Sequence, residues 1–262
     1  MDMFCIFFLF TYVVNARPYT NVFNVLKYGV VADGKTDCSK AFWTAWTDAC
    51  AWNGGGTVLI PKGNYLVGPA TFKGPCKGPI DFQIQGVVNA PSDWIMFQYV
   101  NGLYVGGGGT FHCHVQLHYN HTAPEDSPNT DGIHIGDSSF ISISHSNIGT
   151  GDDYISFGAG SNNIHVSNVT CGPGHGISVG SLGKIPKTPL KVLMKDVHYR
   201  NIWGTSSSKV AVNFVCSRSL PCQKIEVKDI YLPYNGNDGQ ASANCLNVRG
   251  YTVGKQLPKI RL

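Results

Sequence analysis

The stretch DGIHIG at residues 131–136 is the first of three related hexapeptides that decide the fold. DYISFG follows at 153–158 and HGISVG at 175–180, so the interval is 22 residues in both cases. Each hexapeptide alternates between the two faces of an extended chain and ends in glycine, which is typical of a short strand followed by a turn. Three such strands at a constant interval indicate a repeating structure.

A period near 22 residues with short strands predicts a β-solenoid. One coil must carry the chain around a prism of parallel sheets and return it one strand spacing higher, about 4.8 Å. A β-sandwich also contains short strands, but it does not naturally return related hexapeptides at equal intervals. We therefore predict an all-β protein, a right-handed parallel β-helix formed by residues 17–262.

A second recurring phrase supports the same interpretation. It has apolar residues two apart, then Asn or Asp, then a β-branched residue. It occurs as NIHVSNV at 163–169, KVLMKDV at 191–197 and KIEVKDI at 224–230. Because apolar residues two apart face the same side of a strand, the phrase predicts a second stacked strand in each coil.

One segment near the N-terminus has helical periodicity. Four apolar residues with i, i+3, i+4 and i+7 spacing predict an amphipathic helix from about Ser39 to Trp52. They are Phe42, Ala45, Trp46 and Ala49. We expect this short helix to cap the β-helix. The composition agrees, since 14% charged residues and 31 glycines in 262 residues suit a β protein with many turns.

The N-terminus and the cysteines predict secretion. An apolar run from Phe4 to Val14 is too short to span a bilayer and resembles a signal peptide at residues 1–16, although no basic residue precedes it. A buried N-terminal segment is the alternative. Beyond Cys5 there are eight cysteines, an even number suited to disulfides, and Cys216 and Cys222 are close enough to close one loop.

The charge balance favours some partners over others. The formal net charge is +4 at pH 7 with nine histidines, and it grows as these protonate below about pH 6.5. A polyanion in an acidic extracellular space would be attracted. The chain has no basic run with interleaved aromatic residues, which argues against nucleic acid, and a solvated surface also explains so small a charge.

The repeat brings chemistry-bearing residues together. Asp131, Asp153 and His175 occupy the same position in three hexapeptides, with Asp152 beside Asp153. Carboxylates on adjacent coils lie about 5 Å apart. Strict alternation would bury Asp131 and Asp153, but glycines at the coil corners break the alternation, so we expect both acids to face a groove at the start of their strands.

Enzymes that cleave a glycosidic bond use two carboxylates with separate tasks. One protonates the leaving oxygen, and the other activates water. An isolated Gly-Asp-Asp is more simply a turn with two solvated acids. The same tripeptide also marks a hairpin of viral polymerases. Neither alternative explains the 22-residue repeat or the leader.

Three segments carry a family resemblance: SPNTDGIHIGDS at 127–138, GTGDDYIS at 149–156 and CGPGHGISVGSLGK at 171–184. In order and spacing they resemble the signature segments of plant polygalacturonases, the pectin-cleaving members of glycoside hydrolase family 28. The likeness touches most of the chain. It implies an inverting hydrolase of α-1,4-linked galacturonate in pectic homogalacturonan, without a metal. We expect a monomer that acts in the cell wall with no cofactor and with no nucleic acid or membrane as partner.

The resemblance also implies roles for single residues. Asp152 corresponds to the general acid, and Asp131 and Asp153 to the carboxylates that hold the attacking water. His175 corresponds to the residue that supports protonation of the acid and contacts the substrate. The expected substrate-binding residues are Asn129, Gly176, Lys184 and Tyr199.

The chain departs from the family in one motif and in length. The family carries an Arg-x-Lys motif beyond Gly-His-Gly, where two cations bind the substrate carboxylate, and this motif is missing here. Lys184, Lys187 and Arg200 are candidate replacements, although each is also explained as an ordinary surface charge. Coils are missing as well, after residues 106–111 and after Lys184. The family commonly has Cys where Tyr154 stands, so Cys171 lacks the partner that the resemblance implies.

These departures leave two other functions open. The first is a catalytically impaired homologue that binds pectin and does not cleave it. The second is an enzyme of pectate lyase type on the same fold, which would use calcium and an arginine base.

Overall fold

A computed structural model describes residues 21–90, 95–113, 131–150, 153–158, 160–172, 176–179 and 194–262. Within these residues the chain is built mostly of parallel strands, which confirms the predicted all-β parallel β-helix. The predicted signal peptide at 1–16 lies outside the described residues.

The described elements are twenty strands, one α-helix and one short 3₁₀ helix. The strands are β1 (Asn21–Asn24), β2 (Asp33–Asp37), β3 (Gly56–Ile60), β4 (Asn64–Leu66), β5 (Ala70–Lys73), β6 (Ile80–Ile84), β7 (Val87–Ala90), β8 (Ile95–Gln98), β9 (Asn101–Gly106), β10 (Thr110–Cys113), β11 (Ile133–Gly136), β12 (Ser139–Gly149), β13 (Asp153–Phe157), β14 (Asn162–Cys171), β15 (Gly176–Val179), β16 (Lys195–Gly204), β17 (Val210–Val215), β18 (Cys222–Tyr231), β19 (Ser242–Leu246) and β20 (Val248–Leu257). The α-helix is α1 (Ser39–Ala51), and the 3₁₀ helix is Val25–Tyr28.

The strands form two sheets in which hydrogen-bonded neighbours are never consecutive in the chain. A seven-stranded sheet stacks β5, β8, β11, β13, β15, β17 and β19 in that order. The other thirteen strands form the second sheet. Ile133 pairs with Ile155, and Ile155 pairs with Ile177. The interval of 22 residues is therefore one coil of the solenoid, as predicted.

The long strands of the thirteen-stranded sheet bend at stacked left-handed residues. Asn168 and Asn201 both have positive φ values, of 53° in each case, and the Asn201 side chain donates a hydrogen bond to Asn168 Oδ1 at 3.2 Å. Asn and Asp tolerate this conformation better than bulkier residues do. A second corner lies five residues earlier in the long strands β12, β14, β16 and β18, at Asn163 and Asp196 for example.

The positions of these corners correct the alignment of one of the recurring phrases, the one at 191–197. The sixth residue of the phrase at 191–197 is Asp196, which lies at the first corner. The sixth residues of the phrases at 163–169 and 224–230 are Asn168 and Asp229, which lie at the second corner. The strand that matches them in register is 196–202, because Ile164 pairs with Val197. The same residue type marks both corners, so the sequence pattern alone did not distinguish them.

Helix α1 closes the N-terminal end over an aromatic cluster. It begins at Ser39 as predicted, and its four predicted apolar residues are all buried. The Trp46 ring contacts Phe72, Phe82 and Phe97, with ring centroids 5.2 to 6.2 Å apart. Among the described residues, no helix is both long and apolar enough to cross a membrane.

Two disulfides are described. Cys216–Cys222 closes the loop that the sequence predicts, and Cys50–Cys76 ties the end of α1 to the chain before β6. Cys171 is buried and unpaired, as expected for a chain that lacks its partner residue. Cys216–Cys222 therefore restrains one short loop, and Cys50–Cys76 restrains the N-terminal cap.

Candidate active site

Two of the predicted acids stand side by side at the starts of two adjacent inner strands of the seven-stranded sheet. Asp131 comes two residues before β11, and Asp153 is the first residue of β13. The Gly132 backbone N–H donates a hydrogen bond to the Asp153 carbonyl at 2.8 Å, so the two acids belong to adjacent coils. Both side chains are half-buried. The prediction that they escape the core at the start of their strands is confirmed.

The stacking of the third coil differs from the prediction by one residue. The sequence predicts His175 opposite Asp153, but the backbone of Asp153 pairs with Gly176. Because Ile155 pairs with Ile177, Tyr154 is an extra residue in β13, which is the signature of a β-bulge. Tyr154 is fully buried, and its hydroxyl donates to the Thr205 carbonyl at 2.6 Å.

Four predicted site residues lie outside the described residues, and their roles stay predictions: Asn129, Asp152, His175 and Lys184.

Tyr199 does not line the groove. Its side chain is 3% exposed and packs inside the β-helix against Phe157 and Phe214, with ring centroids 6.3 and 5.5 Å away. Burial raises the pKa of its hydroxyl far above the ordinary value. Tyr199 lies between two outward residues of β16, so the expected sugar contact is wrong, because strand alternation turns this side chain into the core.

Gly176 has a structural reason to be glycine. Its φ of +119° is rarely adopted by other residues, and a Cβ atom there would lie 2.7 Å from the Ala211 carbonyl oxygen of the next coil. Its predicted contact with substrate stays a prediction.

A row of outward polar side chains crosses the seven-stranded sheet beside the acids. We call it the polar row, and its members pair in register from coil to coil. They are His134, Ser156, Ser178, Asn213 and Asn244. The sequence interpretation missed this row, although His134 and Ser156 share one position in the first two hexapeptides and alternation places that position outward.

The polar row contacts one of the acids directly. The Ser156 hydroxyl donates to Asp131 Oδ2 at 2.6 Å and lies 2.7 Å from His134 Nδ1. Asp131 and His134 side chains are 16% and 17% exposed. A carboxylate that is partly exposed and restrained by one hydrogen bond is suited to hold a water molecule for attack.

Arg200, a candidate for the missing substrate-binding cation, is engaged elsewhere. It lies on the thirteen-stranded sheet, where its Nε donates to Glu226 Oε1 at 3.0 Å. Glu226 is buried and also contacts His198 Nδ1 at 2.6 Å. The hydrogen bond from Arg200 is the main cause that lowers the pKa of Glu226 to about 2. Arg200 therefore supports the fold and does not replace the cationic motif.

This ion pair predicts how stability depends on pH. Because the pKa of Glu226 is lower in the folded protein than its ordinary value of 4.5, its stabilising contribution is present above pH 4.5 and is lost as the pH falls through about 2. Arg200→Ala removes the cation that pairs with this buried carboxylate and leaves the hydrogen bonds of Glu226 with His198 and Tyr251. We expect the free energy of unfolding near neutral pH to fall by about 1–3 kcal/mol.

Urea unfolding at several pH values measures this effect. The difference between Arg200→Ala and the wild type should shrink as the pH falls from 4.5 through about 2, because Glu226 takes up its proton over this range. Lys228→Ala is the matched control, because Lys228 is the exposed register neighbour of Arg200. A difference that stays constant with pH would contradict the proposed ion-pair contribution.

Comparison with known families gives a match over more than half of the chain. The family model described as Glycosyl hydrolases family 28 matches residues 117–189 and 185–255. These ranges contain the three hexapeptides and the polar row.

Curated plant proteins match nearly the whole chain. A polygalacturonase of Gossypium barbadense is 31% identical over 386 aligned residues, which cover 98% of this chain and 94% of the relative. An exopolygalacturonase of Platanus acerifolia is 32% identical, covering 92% of this chain and 98% of the relative. Because the first alignment is longer than this chain, that relative contains segments with no counterpart here.

A solved structure supports the fold. The hyperthermoactive exopolygalacturonase from Thermotoga maritima superposes with a TM-score of 0.61 at 14% identity, over 82% of this chain and 60% of that chain. At this identity the likeness concerns the fold alone.

Proposed function

Because this chain belongs to glycosyl hydrolases family 28, we propose that it is a secreted polygalacturonase that hydrolyses the α-1,4-galacturonosyl linkages of pectin. The substrate is pectic homogalacturonan, an anionic polysaccharide, and the place of action is the plant cell wall. The net charge of +4 favours the approach of such a polyanion.

One observation carries this proposal. Asp131 and Asp153 stand on adjacent coils, half-buried, at the starts of two inner strands of one sheet. Nothing in the packing of a β-helix requires two acids at this place, and like charges on adjacent coils oppose folding. Their presence is explained when the pair holds a water molecule for attack on a sugar.

The mechanism divides the work among three acids. Asp152 protonates the oxygen of the leaving sugar, and Asp131 and Asp153 hold and activate the water that attacks from the opposite side. His175 supports the protonated state of Asp152. These roles come from the family resemblance, and the described geometry of Asp131 and Asp153 supports the two that concern water.

Release of reducing ends from polygalacturonate at mildly acid pH tests the proposal. The mature chain should release them, and Asp152→Asn should release about 10²- to 10⁴-fold fewer, because general acid catalysis contributes a factor of this size. No release by the wild type would reject the proposed hydrolysis. Equal release by both proteins would reject the role of Asp152.

The missing Arg-x-Lys motif favours a second candidate, a protein that binds pectin without cleaving it. Arg200, one of the three candidate replacements, is paired with Glu226, so it does not offer a cation to the substrate carboxylate. This candidate predicts retention of the protein on immobilised polygalacturonate with no new reducing ends. A lyase would instead give an unsaturated product that absorbs ultraviolet light, and a chelator would inhibit it.

A further inference from the structure

His134, Ser156 and Asp131 form a chain of hydrogen bonds that the assigned roles of the acids do not use. The Ser156 hydroxyl is the central member, 2.6 Å from Asp131 Oδ2 and 2.7 Å from His134 Nδ1. The direct distance from His134 Nδ1 to Asp131 Oδ2 is 3.9 Å, so the hydroxyl bridges two groups that do not bond directly.

The direction of each hydrogen bond follows from the number of protons available. A hydroxyl has one proton, and an ionised carboxylate only accepts, so the Ser156 proton is directed to Asp131. Nδ1 of His134 must then carry a hydrogen and donate it to the Ser156 oxygen. The order is therefore His134 to Ser156 to Asp131, with every donor directed toward the carboxylate.

Burial strengthens the hydrogen bonds that join His134, Ser156 and Asp131. Ser156 is 5% exposed, although it lies on the outward face of β13. Hydrogen bonds to a charged group are stronger than neutral ones, and exclusion of water strengthens them further. Asp131 itself precedes β11, so its backbone lies outside the strand, and the hydrogen bond from Ser156 restrains its side chain.

The neighbouring hexapeptide glycine leaves room for the imidazole. A Cβ atom on Gly158 would lie 3.2 Å from His134 Nε2. A side chain at Gly158 would therefore crowd the ring. The third hexapeptide has Ser178 at the same position. Its register neighbour on the preceding coil is Ser156 and not a histidine, so the histidine–serine pair is made by His134 and Ser156.

We propose that Ser156 is a positioning residue, oriented by His134, which holds the Asp131 carboxylate toward the attacking water. This inference rests on the proposed function, since it deepens the role of Asp131 in hydrolysis. The hydroxyl occupies one lone pair of Oδ2, which restricts rotation of the carboxylate.

Kinetics on polygalacturonate test the proposal. Ser156→Ala should lower kcat by about 10- to 100-fold with KM unchanged. Without the hydroxyl, the Asp131 carboxylate is less well positioned to hold the attacking water. Ser156→Thr keeps the hydroxyl and should recover most of kcat. An unchanged kcat in Ser156→Ala, or a threonine variant as slow as the alanine variant, would overturn the proposal.

A matched variant separates positioning from stability. Ser144 is also 5% exposed and donates one hydrogen bond, to the Tyr104 hydroxyl at 3.0 Å, on the thirteen-stranded sheet. Ser144→Ala should lower the thermal unfolding midpoint about as much as Ser156→Ala and leave kcat intact. If both variants lose kcat in proportion to their unfolding midpoints, Ser156 is structural only and the proposal fails.

Nitrogen-15 NMR of histidine-labelled protein gives a readout independent of activity. The His134 resonances should show the Nδ1–H tautomer in the wild type and change in Ser156→Ala. The Nε2–H tautomer in the wild type would refute the hydrogen-bonded chain. An inactive wild type with the Nδ1–H tautomer would refute the proposed hydrolysis and leave the hydrogen-bonded chain intact.

Discussion

Asp131→Asn is expected to lower the rate of reducing-end release from polygalacturonate by about 10²- to 10⁴-fold. Asparagine has the shape of aspartate, and its amide oxygen still accepts the hydrogen bond from Ser156. It does not take up a proton from the attacking water. The loss should therefore appear in kcat, with little change in KM.

A neighbouring acid provides the control for this substitution. Asp137 follows the same hexapeptide and is exposed, so Asp137→Asn makes the same chemical change outside the proposed site. Initial rates and circular dichroism should show two folded variants, of which the Asp131→Asn protein is slow and the Asp137→Asn protein is as fast as the wild type. A fully active Asp131→Asn protein would exclude Asp131 from catalysis.

Phe97→Ala is expected to lower the free energy of unfolding by about 3–5 kcal/mol, because it removes a large side chain from a closely packed interior. The Phe97 ring is fully buried and contacts Trp46, Phe72 and Phe82, with ring centroids 5.3 to 5.4 Å away. The substitution leaves a cavity beneath the helix that caps the N-terminal end. Denaturant unfolding followed by tryptophan fluorescence measures the change.

Two further variants define the origin of this loss. Phe97→Leu keeps much of the buried volume and should lose clearly less stability than Phe97→Ala. Phe140→Ala removes a phenylalanine that is 62% exposed, and its effect should stay within about 0.5 kcal/mol. Equal losses for Phe97→Ala and Phe140→Ala would show that burial in the aromatic cluster does not determine the effect.

Much of the fold was predictable because two periods are visible in the sequence. The 22-residue interval defines the coil, and Ile133, Ile155 and Ile177 stack as that interval predicts. The apolar spacing between Ser39 and Ala51 predicts the capping helix and its buried face. Both periods arise from geometry that every residue of the segment shares, so single exceptions do not hide them.

The candidate site was predictable only in part. Glycine corners led to the prediction that Asp131 and Asp153 leave the core, and both are half-buried. Tyr199 was assigned to the groove from a motif match, whereas its position in β16 turns it inward. The polar row follows from the same alternation rule, so His134 and Ser156 were within reach of the sequence.

The sequence by itself determined that the chain forms stacked coils, that acids recur at one position of the coil, and that a helix closes the N-terminal end. The tertiary structure decided which residues meet across coils. The bulge at Tyr154 shifts Asp153 onto Gly176, and the turn of Asp131 brings its carboxylate to the Ser156 hydroxyl. The physical reason is that periodicity reports the average path of a strand, whereas a bulge or a corner is a local departure that depends on neighbouring coils.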